Sequence, residues 1–270
     1  MSSAALTESL DLLRIAALAA ALLLALSLEH FLPHARLAHR AGARRTNFAL
    51  WLLDALVMRI VCGACGFTLA AWCEARGFGL LHALAAPAWL ALPLGVIALD
   101  AVSYFWHRAN HRVAWLWRFH RVHHADRAFQ ATTALRFHPG ELLLALPLRL
   151  AAIAAFGLSP LGVLAFEIVF GAMNLLEHGN FDLPARLERA LARGIVTPAL
   201  HRLHHSRDAS DLNSNFGTVL SAWDRALGTL RESSSEEQFE TGLPGALGER
   251  EMTLARAIAA PFAAGSATRA

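Results

Sequence analysis

The sequence predicts an all-α fold: an integral membrane helical bundle of four to five apolar helices, capped on the cytosolic side by a histidine-rich helical metal domain. Three observations predict it. The 270 residues are 56% hydrophobic and only 17% charged, with a mean hydropathy of +0.41, too apolar for an ordinary soluble globule. Long apolar runs follow one another as far as Leu176. Histidines then recur at helical spacing just after the third and fifth of these runs and at intervals beyond.

The first run, Leu13 to Leu32, is about twenty residues long, enough at 1.5 Å per residue to cross a hydrocarbon core of roughly 30 Å. It begins with Glu8 and Asp11 rather than a basic stretch and is too long for the core of a cleaved signal peptide, so it is expected to persist in the mature protein. Arg36, Arg40, Arg44 and Arg45 crowd the next loop with His34 and His39. Arginine excess beside a membrane end marks the cytosolic side, which puts the N-terminus outside. A second run, Phe48 to Trp72, returns across the membrane with Asp54 and Arg59, which must face protein, water or an interface. After a turn around Glu74 to Gly79, a third run, Leu80 to Trp106, returns to the cytosol and stops just before His107. Leu142 to Leu158 and Pro160 to Leu176, each about seventeen residues and so at the lower limit for crossing, are joined through Gly157, Ser159 and Pro160. They read as a helical hairpin whose two ends lie on one side, so His178 rejoins the histidines around His107.

Three regions follow: transmembrane helices over 1–99, a catalytic region over 100–230 that includes the hairpin 142–176, and a cytosolic tail over 231–270. Arg231 to Gln238 is polar and acidic, as a solvated surface segment is, and the last thirty or so residues are Ala-rich. Net charge is +3 with a pI near 9.2, and the basic residues, all Arg, are dispersed. No basic stripe interleaved with aromatics exists, which argues against a nucleic-acid partner. Cys62, Cys65 and Cys73 share one apolar stretch and read as inert packing residues, because apolar burial suppresses thiol reactivity. The expected location is a bacterial inner membrane with the histidines facing the cytosol.

Nine of the 14 histidines form motifs: His107-x3-His111, His120-x2-His123-His124, a lone His178, and His201-x2-His204-His205. Positions i, i+3 and i+4 share a helix face, so each H-x2-HH block is expected to aim three imidazoles one way and H-x3-H two. A structural zinc takes four ligands and a catalytic zinc three, so nine exceed one ion. Two ions with four or five histidines each use them all. His30, His34, His39 and His82 read as ordinary interface or core histidines. Asp100, Asp126, Glu141, Glu177, Asp182, Asp208 and Asp224 lie near the blocks, and carboxylates of this kind orient metal-bound imidazoles through the second ring nitrogen. His138-Pro139-Gly140 resembles the haem-ligand turn of a cytochrome b5 domain, but Glu141 follows and no separate soluble segment exists to build one. Electrons would then come from another protein.

These residues resemble the fatty acid hydroxylase and sterol desaturase superfamily, membrane di-iron enzymes with H-x3-H, H-x2-HH and H-x2-HH boxes. Similarity runs from about Asp100 to Thr229. Arg136-Phe137-His138-Pro139-Gly140-Glu141 is similar to the family's R-x-HP-x-E element. Asn213-Ser214-Asn215-Phe216-Gly217, with Trp223-Asp224-Arg225 and Gly228-Thr229, is similar to its N-F-G and W-D-x-x-x-G-T stretch. The resemblance implies His107, His111, His120, His123, His124, His178, His201, His204 and His205 as ligands of two irons, with zinc an alternative occupant on purification. It further implies oxidation of a fatty acyl or sterol-like C–H bond, to a hydroxyl or a double bond, with dioxygen and an external electron-donor protein. The substrate would be a lipid reaching the site from the bilayer. Some relatives carry H-x3-H where this chain has Asn174-x3-His178, so Asn174 as a weak ligand, His138 or a water can take the missing place; His138, Asn174, Asp208 and Asp224 are the candidates for supporting the ligands. Trp106, Trp115, Trp117 and Phe119 are candidate pocket or interface aromatics. Two alternatives stay open: a zinc-dependent membrane hydrolase, and a metal-binding membrane protein without catalysis.

Overall fold

The computed structural model describes residues 3–37, 40–232, 240–244 and 252–263. Thirteen α-helices lie among the described residues, with no β-strand. They are α1 (Ser3–Phe31), α2 (Arg40–Val61), α3 (Cys65–Arg76), α4 (Leu80–Ala83), α5 (Ala88–Arg112), α6 (Ala114–His124), α7 (Pro139–Phe156), α8 (Pro160–Glu177), α9 (Ala185–Leu191), α10 (Pro198–His204), α11 (Ala209–Leu212), α12 (Ala222–Ala226) and α13 (Leu254–Ala259). Isolated bridges such as Pro33–Phe181 and Ile195–Leu220 pin the loops. Four helices are long and apolar enough to cross a membrane: α1 from Ser9, α5, α7 and α8. The pair Ala41–Val61 and Cys65–Ala83, bent by 47°, makes up to five. The protein is an integral membrane protein.

The second and third spans differ from the sequence expectation. The run Phe48–Trp72 is broken after Val61, where Gly63 turns the chain with φ 51°, a left-handed conformation that suits glycine. Cys62, Cys65 and Cys73 flank or follow this break as free thiols. The third span begins only at Ala88, behind Pro87, whose ring fixes φ and starts the helix, while Leu80–Ala83 stays a separate turn. That helix continues past Trp106 to Arg112. His107 and His111 therefore sit on the last turns of the membrane helix itself rather than after it, and the 99/100 boundary falls inside α5.

Helix α5 is the axis of the bundle, packed against α6, α7 and α8, and α1 runs parallel to α8. The register of that pair is set by Arg14 on Glu167, Leu18 on Gly171 and the Ala21–Leu175 cluster. A Cβ at Gly171 would meet Leu18 at 2.5 Å, the close approach that small residues permit between membrane helices. The expected hairpin is present as two helices joined by three residues, but its arms hardly touch. Each arm packs instead on α3 and α5, around a core of Phe67, Leu99, Ile153 and Leu164. The reason lies in the turn: Gly157 (φ 70°) ends α7 directly on the Phe78–Gly79 backbone, so α3 and its following turn anchor the arm. A cleft is left between α7 and α8.

Part of the tail belongs to the body. The Thr46 hydroxyl donates to the Met252 carbonyl (2.7 Å), Arg121 donates to the Ala260 carbonyl, and Ala257 and Ala260 join the core under α6. His39 and residues 233–238 of the acidic segment lie outside the described residues.

Candidate metal centre

Four pieces of chain bring the nine patterned histidines to one end of the bundle. The end of α5 carries His107 and His111, and a single extended residue, Val113, turns the chain into α6 with His120, His123 and His124. His178 caps the C-terminus of α8. His201 and His204 lie on α10 and His205 caps it, the helix starting at Pro198 with Thr197 as N-cap.

The nine divide into a group of five, His107, His111, His120, His124 and His204, and a group of four, His123, His178, His201 and His205. Within each group the ligand-capable atoms lie within 4.8 Å of one another. This corrects the expectation that each H-x2-HH block aims its three imidazoles one way. The i, i+4 pair of each block stays together (His120 with His124, His201 with His205), and the i+3 residue crosses to the other group. Adjacent residues on a helix point about 100° apart, and the His123 and His124 rings are nearly perpendicular, at 89°. The two blocks thus exchange one histidine each and tie the groups together.

The hydrogen bonds of the outer nitrogens decide what the inner ones can do. His107 Nδ1 bonds the Phe216 carbonyl (2.9 Å), His204 Nδ1 the Ser214 carbonyl (2.6 Å) and His178 Nδ1 the Asn174 carbonyl (2.7 Å). A carbonyl only accepts, so each Nδ1 carries the proton and each Nε2 presents a lone pair. Yet the His107 and His204 Nε2 atoms stand 3.0 Å apart, and His178 Nε2 lies 3.1 Å from His123 Nε2 and 3.0 Å from His201 Nε2. The facing lone pairs of His107 and His204 repel at this distance unless a cation joins them, and the single inward lone pair of His178 faces two imidazole nitrogens at once. Nitrogens about 2.0–2.1 Å from one ion sit about 3 Å apart when they bond it at right angles. The donor set therefore fits a metal in each group.

Two further observations agree with that fit. Among the described residues, neither ring nitrogen of His111 or His205 has a hydrogen-bond partner, although both are buried, and buried polar atoms are seldom left so. Burial, with crowding by neighbouring imidazoles, holds His123, His124, His201 and His205 well below the usual histidine range, and burial takes His178 and His204 down to about 3. These imidazoles are neutral at neutral pH, the form that binds metal.

The predicted supporting residues separate. Asn174 acts through its backbone: its carbonyl holds His178 while its side chain donates to the Ala134 carbonyl (3.1 Å), turned away from a ligand's place. Asp224 is buried one step back, accepting from the backbone N–H of Phe216 and of Gly217 (both 2.8 Å) and so fixing the carbonyl that orients His107. Burial raises its carboxyl, and these hydrogen bonds oppose the rise. His138 stands outside both groups: it caps α7, its Nδ1 accepting from Gly140 N–H (2.9 Å), and its Nε2 donates to the Ile258 carbonyl (3.2 Å). Asp208 is exposed and caps α11 through Ser210 N–H, so it supports no ligand.

Glu141, only one of several nearby acids in the sequence reading, is the carboxylate that orients a ligand directly, at 2.8 Å from His120 Nδ1, with Asn110 Nδ2 donating to it at 3.1 Å. The backbone carbonyls of Phe216 and Ser214 were illegible as orienting groups, because a carbonyl belongs to every residue. The motif did carry a signal in Asn215, which sits at φ 51°, a left-handed conformation asparagine tolerates, and holds the Leu200 and Arg231 carbonyls. Arg136, buried, donates to the Val122 carbonyl (2.8 Å) and Asn47 Oδ1 (3.0 Å), tying α2 to the end of α6.

The cleft between α7 and α8, with α5 at its back, reaches this centre. Its volume is about 180 Å³, its walls are apolar (Leu99, Leu142, Leu148, Phe166 and Phe170 among them), and at its inner end stand His107, His120, His123, His178 and His201. Trp106 lines it, whereas Trp115 is exposed, as an interface anchor is.

The sequence matches the fatty acid hydroxylase family over residues 92–229, about half of the chain. It is similar to cholesterol 25-hydroxylase of Rattus norvegicus, 31% identical over 50% of this chain and 45% of that protein. It is likewise similar to the ornithine lipid hydroxylase OlsE of Rhizobium tropici (32%, 56% and 45%) and to alkylglycerol monooxygenase of Danio rerio (33%, 55% and 31%). The chain thus aligns with about half the length, or less, of the curated relatives it matches, and no solved structure matches it significantly. The matched region contains all nine histidines, Glu141, the Phe216 and Ser214 carbonyls and Asp224, and on that ground the chain belongs to the fatty acid hydroxylase family.

Proposed function

We propose that this protein is a membrane di-iron oxygenase that hydroxylates a lipid C–H bond, taking its substrate from the bilayer. The observation that carries the reading is two groups of buried imidazoles whose Nε2 atoms stand 3.0 to 3.1 Å apart and which line an apolar cleft. His107, His111, His120, His124 and His204 would hold one iron and His123, His178, His201 and His205 the other. When bound, the irons supply the redox chemistry that activates dioxygen. Names such as cholesterol 25-hydroxylase and alkylglycerol monooxygenase among the relatives favour hydroxylation over desaturation.

The chain's own residues have definable work. The carbonyls of Phe216, Ser214 and Asn174 and the Glu141 carboxylate keep the Nδ1 protons outward, so that each inward nitrogen stays a donor to metal. Phe137, stacked on His123 at 4.5 Å, and Phe129, stacked on His178, exclude water from the four-histidine group. The cleft aligns an apolar chain with both groups. No electron carrier is part of the proposed centre, so electrons come from a separate donor protein, docking on the cytosolic face that the arginine-rich first loop marks.

The test is metal content and product together. Detergent-purified protein grown with iron is expected to hold about two irons per chain by this ligand count. His123→Ala with His124→Ala, which removes one ligand from each group, should lose both. Cells expressing the intact protein should accumulate a lipid heavier by one oxygen atom, labelled from ¹⁸O₂. Two retained zincs with no labelled lipid would favour the hydrolase reading, and intact protein without stoichiometric metal would overturn both.

A further inference from the structure

The cleft has a second polar end that the metal centre does not use. Its lining residues on α7, from Glu141 through Leu142, Ala145 and Leu148, end at Arg149, which lies about 12 Å from Glu141 at 1.5 Å per residue along the helix. Leu148 is exposed there (42%) and Arg149 is half-buried with a side chain 39% exposed, so the arginine stands toward the open rim while the histidines lie at the inner end. An arginine inside an apolar membrane helix is costly, and such residues face a cavity or a partner for a functional reason.

Its partner is shared with a second arginine. Glu167 of α8 accepts from Arg14 at 2.6 Å, and Arg14 is also paired with Asp11 at 2.9 Å, while Arg149 reaches Glu167 at 3.3 Å. The guanidinium also lies 5.3 Å from the centre of the Phe166 ring, which itself lines the cleft. Glu167 thus shares its carboxylate between Arg14 on Oε2 and Arg149 on Oε1, and Arg149 lines the cleft, which Glu167 does not.

We propose that Arg149 anchors the polar end of the lipid substrate: an elongated apolar molecule bearing a hydrogen-bond-accepting group, carboxylate or hydroxyl, about two turns of α7 away from the carbon presented to the histidines. This rests on the hydroxylase reading for the oxidised carbon alone. Polar side chains also line the walls, but Ser103 and Asn174 already donate to the Leu99 and Ala134 carbonyls, and Arg149 is the one cationic side chain among the lining residues, so its distance from the histidines selects which carbon is presented. A planar guanidinium suits such a role, since it holds its donors in a fixed fork.

Equilibrium binding decides it, with the full iron-loaded chain in nanodiscs and no electron donor. The probe is a tritiated long-chain carboxylic acid, competed with the alcohol and the alkane of the same length. Wild type should bind acid or alcohol at least about tenfold tighter than alkane, the worth of a charge-assisted hydrogen bond. Arg149→Met should abolish that preference while alkane binding stays within about twofold. Glu167→Gln, which removes the ion pair and keeps the guanidinium, should retain it. Acid preferred over alcohol identifies an anionic terminal group, and equal binding a neutral acceptor.

Equal binding of all three probes by wild type would overturn the proposal. So would parallel loss of acid and alkane binding in Arg149→Met and Glu167→Gln, the mark of an interhelical latch. Should Arg149→Met fail to fold, Arg149→Lys decides: a selective several-fold loss for the acid supports the anchor, and unchanged acid binding sinks it. Binding is read without turnover, so an Arg149-dependent preference in a protein that forms no hydroxylated product would refute the enzyme reading and leave the anchor standing.

Discussion

At the scale of single residues, the outer nitrogen of each imidazole carries the argument. Among the described residues, Glu141 is the one carboxylate hydrogen-bonded to a ligand's ring nitrogen within either group, and removing it frees His120 to rotate and to change tautomer. Glu141→Ala should weaken metal retention about 10- to 100-fold in chelator challenge, with Glu141→Gln restoring part of it. Asp224→Ala acts at one remove, leaving the Phe216 and Gly217 N–H groups buried without their acceptor, and should cost about 1–3 kcal/mol in denaturation of the purified protein. Acid should act on the imidazoles themselves. His178 and His204 are held neutral in the fold down to about 3, whereas an unfolded histidine titrates near 6.5. Below pH 6.5 the unfolded chain binds protons that the folded chain refuses, so their contribution is complete above that pH and is lost as pH falls from about 6.5 toward 3. Metal content after gel filtration in steps from neutral to acid pH should fall over the same window, because protonated imidazole cannot ligate.

At the scale of elements, the turn between α7 and α8 decides whether the cleft exists. A Cβ at Gly157 would meet the Phe78 carbonyl at 2.1 Å, a backbone atom that cannot swing aside, and the residue stands at φ 70°. Gly157→Ala should therefore destabilise the protein by about 1–3 kcal/mol, seen as a lower thermal midpoint in detergent. The spans themselves were legible where apolar length alone specifies them: the helices at 139–156 and 160–177 and the first helix all lie where hydropathy puts them. Hydropathy did not resolve the break at Gly63 or the start at Pro87, since both lie inside continuous apolar runs. It also ended the third span at Trp106, because polarity changes there while the backbone carries the helix two turns further.

For the whole molecule, the testable unit is the pair of histidine groups. His107→Ala with His111→Ala removes two ligands of the five-histidine group and none of the other, and His201→Ala with His205→Ala does the reverse. Each double variant should lose about half the bound metal, and the residual metal should differ in spectroscopic signature, because five and four imidazoles impose different coordination. Loss of all metal in both variants would instead mean that the exchanged histidines, His123 and His204, make the groups one cooperative site.

Composition, apolar run length and the spacing of the histidine boxes determined by themselves that this is a helical membrane protein with a polyhistidine centre, because those properties are local: hydrophobic length sets a span, and i, i+4 spacing sets which imidazoles are neighbours. Which histidines share a group, which carbonyls orient them and where the cleft opens were decided by the tertiary structure alone. His204 joins His107 from 97 residues away, and His123 faces His178 across 55, through packing of α6, α8 and α10 that no window of sequence contains. Backbone carbonyls become ligand-orienting groups, and Arg149 becomes the rim of a cavity, only when separate helices are brought within hydrogen-bonding distance.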